Sequence, residues 1–159
     1  MIRGRVPSIT VLMAVYNGDR WLAESIQSVL GQTFTNFEFI IINDGSDDYS
    51  PQIISQFAKK DSRIHVYDKE NSGLTDSLNY GIEKAQGEWI ARIDADDIWR
   101  SERLQKQIEC VRLNTDLVLV GSAKKYRSIN AEVLAKKMVS TLDSKPGINY
   151  YYYKDFIKP

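Results

Sequence analysis

The chain has 159 residues, 43% hydrophobic and 26% charged, a composition typical of one ordinary globular domain. Its 21 basic and 21 acidic residues cancel, so no net charge attracts DNA, RNA or anionic lipid, and a nucleic-acid partner is not expected. The single cysteine, Cys110, can form neither an internal disulfide nor a cysteine-rich zinc site, which favours a reducing, cytoplasmic location.

The amino-terminal segment carries Arg3 and Arg5 and passes directly into a short apolar run at residues 9–15. This run is too short for the core of a signal peptide or for a membrane span, and no later segment is both longer and uncharged. We therefore expect no membrane span in this chain. Peripheral attachment at the inner face of a membrane stays open.

Apolar runs rich in Val and Ile alternate along the chain with segments of helical periodicity. The runs are mostly continuous, as in strands that are covered on both faces, and they predict strands at residues 9–15, 37–42, 64–67, 88–93 and 117–120. Apolar residues spaced by three and four positions predict four amphipathic helices. Their stripes are Leu22, Ile26, Val29 and Leu30; Ile53, Ile54 and Phe57; Leu74, Leu78, Ile82 and Ala85; and Leu104, Ile108 and Val111.

Residues at the ends of the helical segments support this assignment. Gly31 and Gly87 follow helices where a left-handed cap is common, Ser50 precedes Pro51 as an N-cap precedes N1, and Ser101 precedes the fourth helix. Repeated strand–helix–strand units with right-handed crossovers predict an α/β fold, a doubly wound and mostly parallel sheet with helices on both faces. Ligands of such sheets bind beyond the carboxyl ends of the strands.

Polar residues follow three of the predicted strands, at residues 16–19, 43–48 and 94–97. Ordinary turn chemistry accounts for Gly18, Gly45, Ser46 and Asp48. The run Asp94-Ala95-Asp96-Asp97 needs more, because three carboxylates within four residues repel one another unless a cation or hydrogen-bond donors share their charge.

A divalent cation is the natural partner of this acidic run. Mg²⁺ and Mn²⁺ take oxygen ligands, often one or two carboxylates with water and a substrate phosphate completing the shell. We expect Asp94 and Asp96 to divide this work, with Arg92 helping to balance their charge. The spacing does not fit an EF-hand, because a loop counted from Asp94 places Trp99 at the glycine position and Gln105 at the glutamate position.

Two other nucleotide-binding motifs are absent from the sequence. No G-x-G-x-x-G follows the first strand, and no G-x-x-x-x-G-K-[ST] occurs anywhere in the chain. A receiver-like signalling domain is also doubly wound, but it needs an acidic pair after the first strand, where this chain has Tyr16 and Asn17. These three classes are therefore not expected.

Four segments in order resemble the successive signatures of family 2 glycosyltransferases, which are inverting enzymes of the GT-A fold. The segments are 8–17 (SITVLMAVYN), 41–46 (IINDGS), 71–74 (NSGL) and 90–97 (IARIDADD). The resemblance runs from about residue 8 to about residue 113 and covers the donor-binding half of the family. It implies one domain, 1–159, that is truncated, with a nucleotide-sugar-binding core at 8–113 and the start of the acceptor half or a tail at 114–159.

The resemblance also implies roles for residues that bind the nucleotide-sugar, with a UDP-sugar favoured. Tyr16 corresponds to a position that lies against the base, and Asn17 follows it in the same loop. Asp44 corresponds to the aspartate that accepts a hydrogen bond from the base, and Gly73 to a position where the backbone approaches the donor. Asp94 resembles the first aspartate of a D-x-D element, at the ribose or in the metal shell.

The metal-binding residues implied by the resemblance are Asp94 and Asp96, and the implied cofactor is Mn²⁺ or Mg²⁺. The cation offsets charge on the departing nucleoside diphosphate as sugar is transferred to a saccharide or lipid-linked acceptor in cell-surface polysaccharide or glycoconjugate synthesis. The family's general base lies in the acceptor half, and we expect it beyond Pro159, because Asp143 and Asp155 match no motif of that half. A noncatalytic nucleotide-sugar-binding module is therefore the alternative.

Other conspicuous residues have simpler interpretations. His65 is the only histidine and is expected on the surface of its strand, and Cys110 is expected to pack beside a helix stripe. The tyrosine run at 150–153 predicts a strand or a disordered end. The tryptophans at 21, 89 and 99 are expected in the core or at its rim.

Overall fold

A computed structural model describes residues 7–113 and the backbone of one short strand near the carboxyl terminus. Its elements, in chain order, are β1 (Ile9–Val15), α1 (Asp19–Leu30), β2 (Phe37–Asp44), α2 (Ser50–Ala58), β3 (Ile64–Lys69), α3 (Leu74–Lys84), β4 (Trp89–Arg92), α4 (Arg103–Leu113) and β5 (Phe156–Ile157). The predicted strand at 117–120, the side chains of Asp143 and Asp155, and the tyrosine run 150–153 lie outside the described residues.

The described strands form one sheet in the order β3-β2-β1-β4-β5. The pairs β1–β2, β1–β4 and β2–β3 are parallel, and β4–β5 is antiparallel. This arrangement confirms the predicted α/β class and the first four predicted strands. β2 and β3 each extend two residues further than predicted, and β4 is shorter than its predicted range.

The chain changes direction across the sheet at β1. From β1 it proceeds outward to β2 and β3, and it then returns to the other side of β1 to form β4. Such a reversal leaves a crevice between the loops that follow the two strands, and ligands of doubly wound sheets bind there. The loops that follow β1 and β4 are those that contain Tyr16 and the acidic run.

Apolar side chains cover the sheet on both faces. The larger cluster joins buried residues of α1, α2 and α4 to alternate residues of β1 and β2, such as Val11 and Phe39. The smaller cluster includes Leu12, Ile40 and Ile42 and lies on the opposite face, where Leu78 of α3 packs against it. Side chains of successive strand residues point to opposite faces, so continuous apolar strands are what this two-layer covering requires. Among the described residues, no helix is long and apolar enough to cross a membrane.

The predicted apolar stripe of α3 is wrong in two of its four positions. Leu74 and Ile82 are exposed, and the residues that α3 buries are Ser77 and Gly81. The reason is close packing, because a Cβ on Gly81 would lie 2.3 Å from Cδ1 of Leu12 on the sheet. Small residues on this face let the helix lie close to the strands.

The predicted caps of three helices also need correction. Gly31 has a φ of −83°, so it is not a left-handed cap. The helix ends instead with backbone N–H groups at the cap that donate to the carbonyls of Gln27 and Val29. Gly87 does not have a positive φ either. A glycine is required at this position because a Cβ would lie 2.3 Å from the backbone nitrogen of Thr10. Ser50 is the first residue of α2 and Tyr49 is its N-cap, which shifts the predicted cap by one residue.

Candidate functional site

The predicted site residues all lie at the carboxyl edge of the parallel strands. In the β1–β2 register Val15 pairs with Asn43, so Tyr16 and Asp44 follow next to each other on neighbouring strands. Across the crevice, the loop after β1 packs on the acidic run, since a Cβ on Gly18 would touch the Ala95 side chain at 3.4 Å. The fold thus brings together the groups that the sequence places far apart.

Tyr16 presents a large aromatic surface at this edge. The residue is 56% exposed although it directly follows β1, in which every residue except the partly buried Ala14 is buried. An exposed aromatic ring beside a crevice provides a stacking surface for a planar base.

Asn17 holds the loop after β1 against the loop after β2. It has a φ of +50°, a left-handed conformation that asparagine tolerates better than most residues. Its Oδ1 accepts the N–H of Asp47 at 3.0 Å, while its own N–H donates to Oγ of Ser46 at 3.1 Å. The side chain of Asn17 therefore has a structural contact, and its predicted contact with a donor stays a prediction.

Asp48 is a second bridge between these two loops. Its Oδ2 accepts the N–H of Asp19 at 3.0 Å and its Oδ1 accepts the N–H of Ser50 at 2.8 Å. Burial by itself raises the pKa of Asp48, but these backbone hydrogen bonds outweigh burial and leave the pKa lowered. Oγ of Ser50 in turn accepts the N–H of Gly18 at 3.0 Å. Asp48 and Ser50 thus have a structural role in positioning the β1 loop, beyond the local turn chemistry that the sequence indicated.

Asp44 is a buried, fully charged acceptor at the end of β2. Its Oδ1 accepts Lys69 Nζ at 2.6 Å and the N–H of Ser72 at 3.0 Å, and its Oδ2 accepts the N–H of Gly73 at 2.9 Å. Burial raises the pKa of this carboxyl, but the hydrogen bonds from Lys69, Ser72, Ser77 and Gly73 together hold the pKa at about 2. The group can therefore accept hydrogen bonds and cannot donate one at neutral pH.

Two glycines let the loops around Asp44 close. Gly45 has a φ of +72°, and a Cβ there would lie 2.8 Å from the backbone nitrogen of Asn71. Gly73 has a φ of +92° at the N-cap of α3, and a Cβ there would meet no protein atom within 4 Å. Backbone conformation explains the glycine at position 73, and the open space beside it is compatible with the predicted approach of a donor.

The acidic run forms a tight turn whose backbone is held from α1. The N–H of Asp97 donates to the carbonyl of Asp94 at 3.0 Å, and the Ser25 hydroxyl donates to the carbonyls of Asp94, at 3.2 Å, and Asp97. Arg92 Nη2 lies 2.5 Å from Oδ1 of Asp94, which agrees with the charge balance expected from the sequence. The side chain of Asp94 is 41% exposed, and Asp96 is exposed.

Polar residues of α1 and of the turn that follows it support this region and were not predicted from the sequence. Ser28 Oγ accepts the N–H of Trp99 at 3.1 Å, and Gln32 binds the carbonyl of Arg100 at 2.8 Å and the N–H of Leu104 at 2.9 Å. Ser25 and Ser28 lie on α1 beside its apolar stripe, and Gln32 continues their spacing of three and four residues just after the helix ends at Leu30. A polar stripe in phase with a buried face was the signal that could have found them.

Trp99 confirms its expected place in the core, since it is 4% exposed. The Arg103 guanidinium lies 4.4 Å from the centre of its ring. Burial lowers the pKa of Arg103 to about 10, and the charge of Asp97 partly opposes this. Trp99 thus anchors the segment that leads from the acidic turn into α4.

The acidic turn fits a divalent cation of the Mg²⁺ or Mn²⁺ kind by the chemistry of its donors. No group of three or more His, Cys, Asp or Glu side chains able to hold a metal occurs among the described residues, so an all-protein cage is not offered there. Within residues 7–113, the carboxylate of Asp96 has neither a hydrogen bond nor an ion pair. One free and one partly engaged carboxylate suit a cation that completes its shell with water and phosphate.

His65 and Cys110 lie outside this site. His65 is exposed on β3, and its Nε2 is 4.0 Å from Oε2 of Glu38, near the opposite end of β2. Cys110 is partly buried on α4, which agrees with its expected packing role.

Comparison with known proteins agrees with this geometry. Residues 10–158 match the model of glycosyl transferase family 2. The putative glycosyltransferase EpsH of Bacillus subtilis is 35% identical over 144 residues, which cover 91% of this chain and 42% of EpsH. The putative teichuronic acid biosynthesis glycosyltransferase TuaG of the same organism is 39% identical over 104 residues, covering 65% of this chain and 41% of TuaG. The chain thus spans less than half the length of either relative.

Solved structures show the same fold. S. aureus TarS 1–349 in complex with UDP-GlcNAc matches with a TM-score of 0.71 at 25% identity, over 76% of this chain and 36% of that one. The mannosyltransferase PcManGT from Pyrobaculum calidifontis, in complex with GDP-Man and Mn²⁺, matches with a TM-score of 0.70 at 20% identity, over 80% of this chain and 39% of that one. The family match over nearly the whole sequence, together with the GT-A arrangement of strands and loops, places this chain in glycosyl transferase family 2.

Proposed function

We propose that this chain binds the nucleotide-sugar donor of a metal-dependent glycosyltransferase, and that the protein to which it belongs transfers the sugar to a saccharide or lipid-linked acceptor. The observation that carries the proposal is the placement of Asp44, an acceptor that is ionised at neutral pH, beside the exposed ring of Tyr16 at the same edge of the sheet. A ring N–H between two carbonyl groups, as in uracil, is matched by such a carboxylate, while the tyrosine ring offers a face for stacking.

The diphosphate belongs on the other side of the crevice in this proposal. Asp94 and Asp96 would hold a Mn²⁺ or Mg²⁺ ion, with Asp94 also near the ribose. When bound, the cation offsets the negative charge that develops on the departing nucleoside diphosphate. The chain itself contributes a turn that is held from α1, because Ser25 binds the backbone carbonyls of Asp94 and Asp97 and makes no bond to the carboxylates of Asp94 and Asp96.

Names of similar proteins support the class of donor and product. TarS is described in complex with UDP-GlcNAc, PcManGT in complex with GDP-Man and Mn²⁺, and TuaG as an enzyme of teichuronic acid biosynthesis. By analogy we propose a UDP-sugar as donor and a role in cell-surface polysaccharide or glycoconjugate synthesis. A cytoplasmic location, with contact at the inner membrane face, belongs to the same proposal.

Thermal unfolding with added ligands tests donor binding. UDP together with Mn²⁺ is expected to raise the melting temperature more than the two effects added separately, and a ligand at a hundred times its Kd stabilises by about 2.7 kcal/mol. GDP, CDP and ADP under the same conditions measure the preference for the base. Equal stabilisation by UDP with a chelator present would refute the metal assignment, and no stabilisation by any nucleotide would refute the donor site.

Transfer is a separate property, because it requires a positioned acceptor and a base in addition to the donor site. Because this chain spans less than half the length of its relatives, we propose that the 159-residue chain binds donor but transfers sugar at a negligible rate. A donor-consumption assay with a panel of saccharide and lipid-linked acceptors tests this. Robust acceptor-dependent turnover by the chain alone would contradict it, and absence of turnover in a chain carrying an added acceptor half would favour a noncatalytic binding module.

A further inference from the structure

Lys69 is a charged residue that the proposed donor site does not yet use. It is the last residue of β3 and pairs in register with Asp44, the last residue of β2. Its side chain is only 21% exposed, so it is held within the edge of the sheet instead of extending into solvent. Its ammonium group therefore has a defined set of partners.

Those partners account for every donor of the ammonium group. Nζ lies 2.6 Å from Oδ1 of Asp44, 2.7 Å from the carbonyl of Glu70 and 2.6 Å from Oγ of Ser72, with Oγ of Ser77 further away at 3.5 Å. A lysine ammonium has three N–H donors, and three close acceptors use them all. Lys69 thus has no donor left for a ligand.

The hydrogen bonds that use the donors of Lys69 and the nearby N–H groups also occupy most acceptor positions of the Asp44 carboxylate. Three donors, Lys69 Nζ and the N–H groups of Ser72 and Gly73, approach its two oxygens within 3.0 Å. The Ser77 hydroxyl also lowers the pKa but makes no such close bond, and a carboxylate accepts about four hydrogen bonds in all. Its side chain is 4% exposed, so a ligand can reach only a small part of it. The direction of that remaining acceptor position depends on how the other three bonds hold the carboxylate.

We propose that Lys69 is the positioning residue of the base-recognition site: it fixes the Asp44 carboxylate and the 70–73 loop so that one acceptor position is directed at a base N–H. This inference rests on the proposed donor site. It assigns Lys69 an action through Asp44, without contact to the nucleotide. A purely structural ion pair and a direct phosphate contact are the two alternatives that the experiment must separate.

A double-mutant cycle on UDP affinity makes this separation. The Kd for UDP with Mn²⁺ is measured by calorimetry for the 159-residue chain and for K69M, D44N and the double variant. We expect K69M to raise the Kd by about tenfold or more, as loss of a charge-assisted hydrogen bond does. In the D44N background the same change is expected to raise the Kd by less than about threefold, because coupled residues give non-additive effects.

Controls address charge and folding. Lys60 is exposed on the loop after α2, and K60M removes the same charge with no expected change in Kd. Circular dichroism and thermal unfolding report the folded fraction of each variant, and K69Q, which keeps a donor, replaces K69M if the latter does not fold. In a C110A background, K69C treated with 2-bromoethylamine regains an amine in place of the lysine and is expected to regain UDP affinity within about threefold.

A second measurement detects the effect on Asp44 itself. NMR titration of its carboxyl carbon, assigned by comparison with D44N, is expected to show the pKa rising from about 2 toward or above 3.8 in K69M, because burial then opposes fewer hydrogen bonds.

Three results overturn the inference while leaving the donor site intact. The first is wild-type UDP affinity in folded K69M. The second is an equal loss of UDP affinity from K69M in the wild-type and D44N backgrounds, which indicates independent action such as a phosphate contact. The third is no recovery of UDP affinity when K69C is aminoethylated. Absence of any nucleotide binding by the unmodified chain would instead overturn the proposed function and the inference with it.

Discussion

Asp44→Asn is expected to lower stability by an amount that depends on pH. The pKa of Asp44 is about 2, compared with 3.8 for an ordinary aspartate, so ionised Asp44 stabilises the fold by up to about 2.4 kcal/mol at neutral pH. Because the pKa in the folded state is lowered, this stabilisation is complete above about pH 4 to 5. It is lost as the pH falls through 3.8 toward 2.

At neutral pH the Asp44→Asn variant should lose more stability than the linkage term, which is the stabilisation of about 2.4 kcal/mol from the lowered pKa of Asp44. Its amide NH₂ replaces one oxygen that accepts an N–H group, and the Lys69 ammonium loses a charged partner in a mostly buried position. Each effect costs about 1–3 kcal/mol, and the linkage term already includes much of the lost charged partner, so a total loss of at least about 3 kcal/mol is expected at pH 7. The part due to charge should vanish in acid, which reduces the difference between variant and wild type.

Urea unfolding at a series of pH values from 7 to 2.5 measures this difference. Asp47→Asn is the matched control, because Asp47 is an exposed aspartate three residues away whose carboxylate has no bond within the described part of the chain. Its substitution should change stability by less than about 0.5 kcal/mol at every pH. A stability loss for Asp44→Asn that stays constant from pH 7 to pH 2.5 would refute the view that the ionised carboxylate is what stabilises this edge.

Three further substitutions test the other parts of the site. Asp96→Asn should reduce UDP binding with Mn²⁺ to the level measured with chelator. The melting temperature should be kept or raised, because repulsion between the carboxylates is relieved. A Mn²⁺-dependent gain in UDP binding equal to that of the wild type would exclude Asp96 as a ligand. Ser25→Ala should cost about 1–2 kcal/mol in urea unfolding and weaken the Mn²⁺-dependent gain in affinity, whereas an unchanged gain would show that the turn holds itself. Gly87→Ala should cost about 3 kcal/mol or more or prevent folding, since the new Cβ would lie 2.3 Å from the backbone of Thr10; near-native stability would mean that the two segments separate easily.

Sequence periodicity was sufficient to predict the strands of the sheet, because the pattern that indicates a strand lies within a short stretch of residues. Continuous Val- and Ile-rich runs predicted the four parallel strands, and the polar residues after three of them predicted the edge at which the site lies. Tyr16 and Asp44 could be expected near each other because both follow strands of one parallel sheet. Their adjacency depends on β1 and β2 being neighbours in the sheet and on the register that pairs Val15 with Asn43.

The failures arise where one segment approaches another closely. On α3, Gly81 permits contact with Leu12 that larger side chains would block, so the helix turns a small face to the sheet and exposes Leu74 and Ile82. The sequence predicts a helix cap at Gly87, but the backbone of Thr10 beside it explains the glycine. Such contacts depend on distances between elements, which periodicity does not contain.

The two sides of the crevice are held by different parts of the chain. Asp44 is fixed from β3 and the start of α3, through Lys69 and two backbone N–H groups, whereas the acidic turn is fixed from α1 through Ser25. No hydrogen bond of these two sets joins one side to the other. Base recognition and metal binding should therefore respond independently to substitutions in their supports, and the nucleotide that spans the crevice is then what couples them. This separation is the physical reason to expect UDP and Mn²⁺ to stabilise the chain cooperatively, since each ligand alone engages only one side.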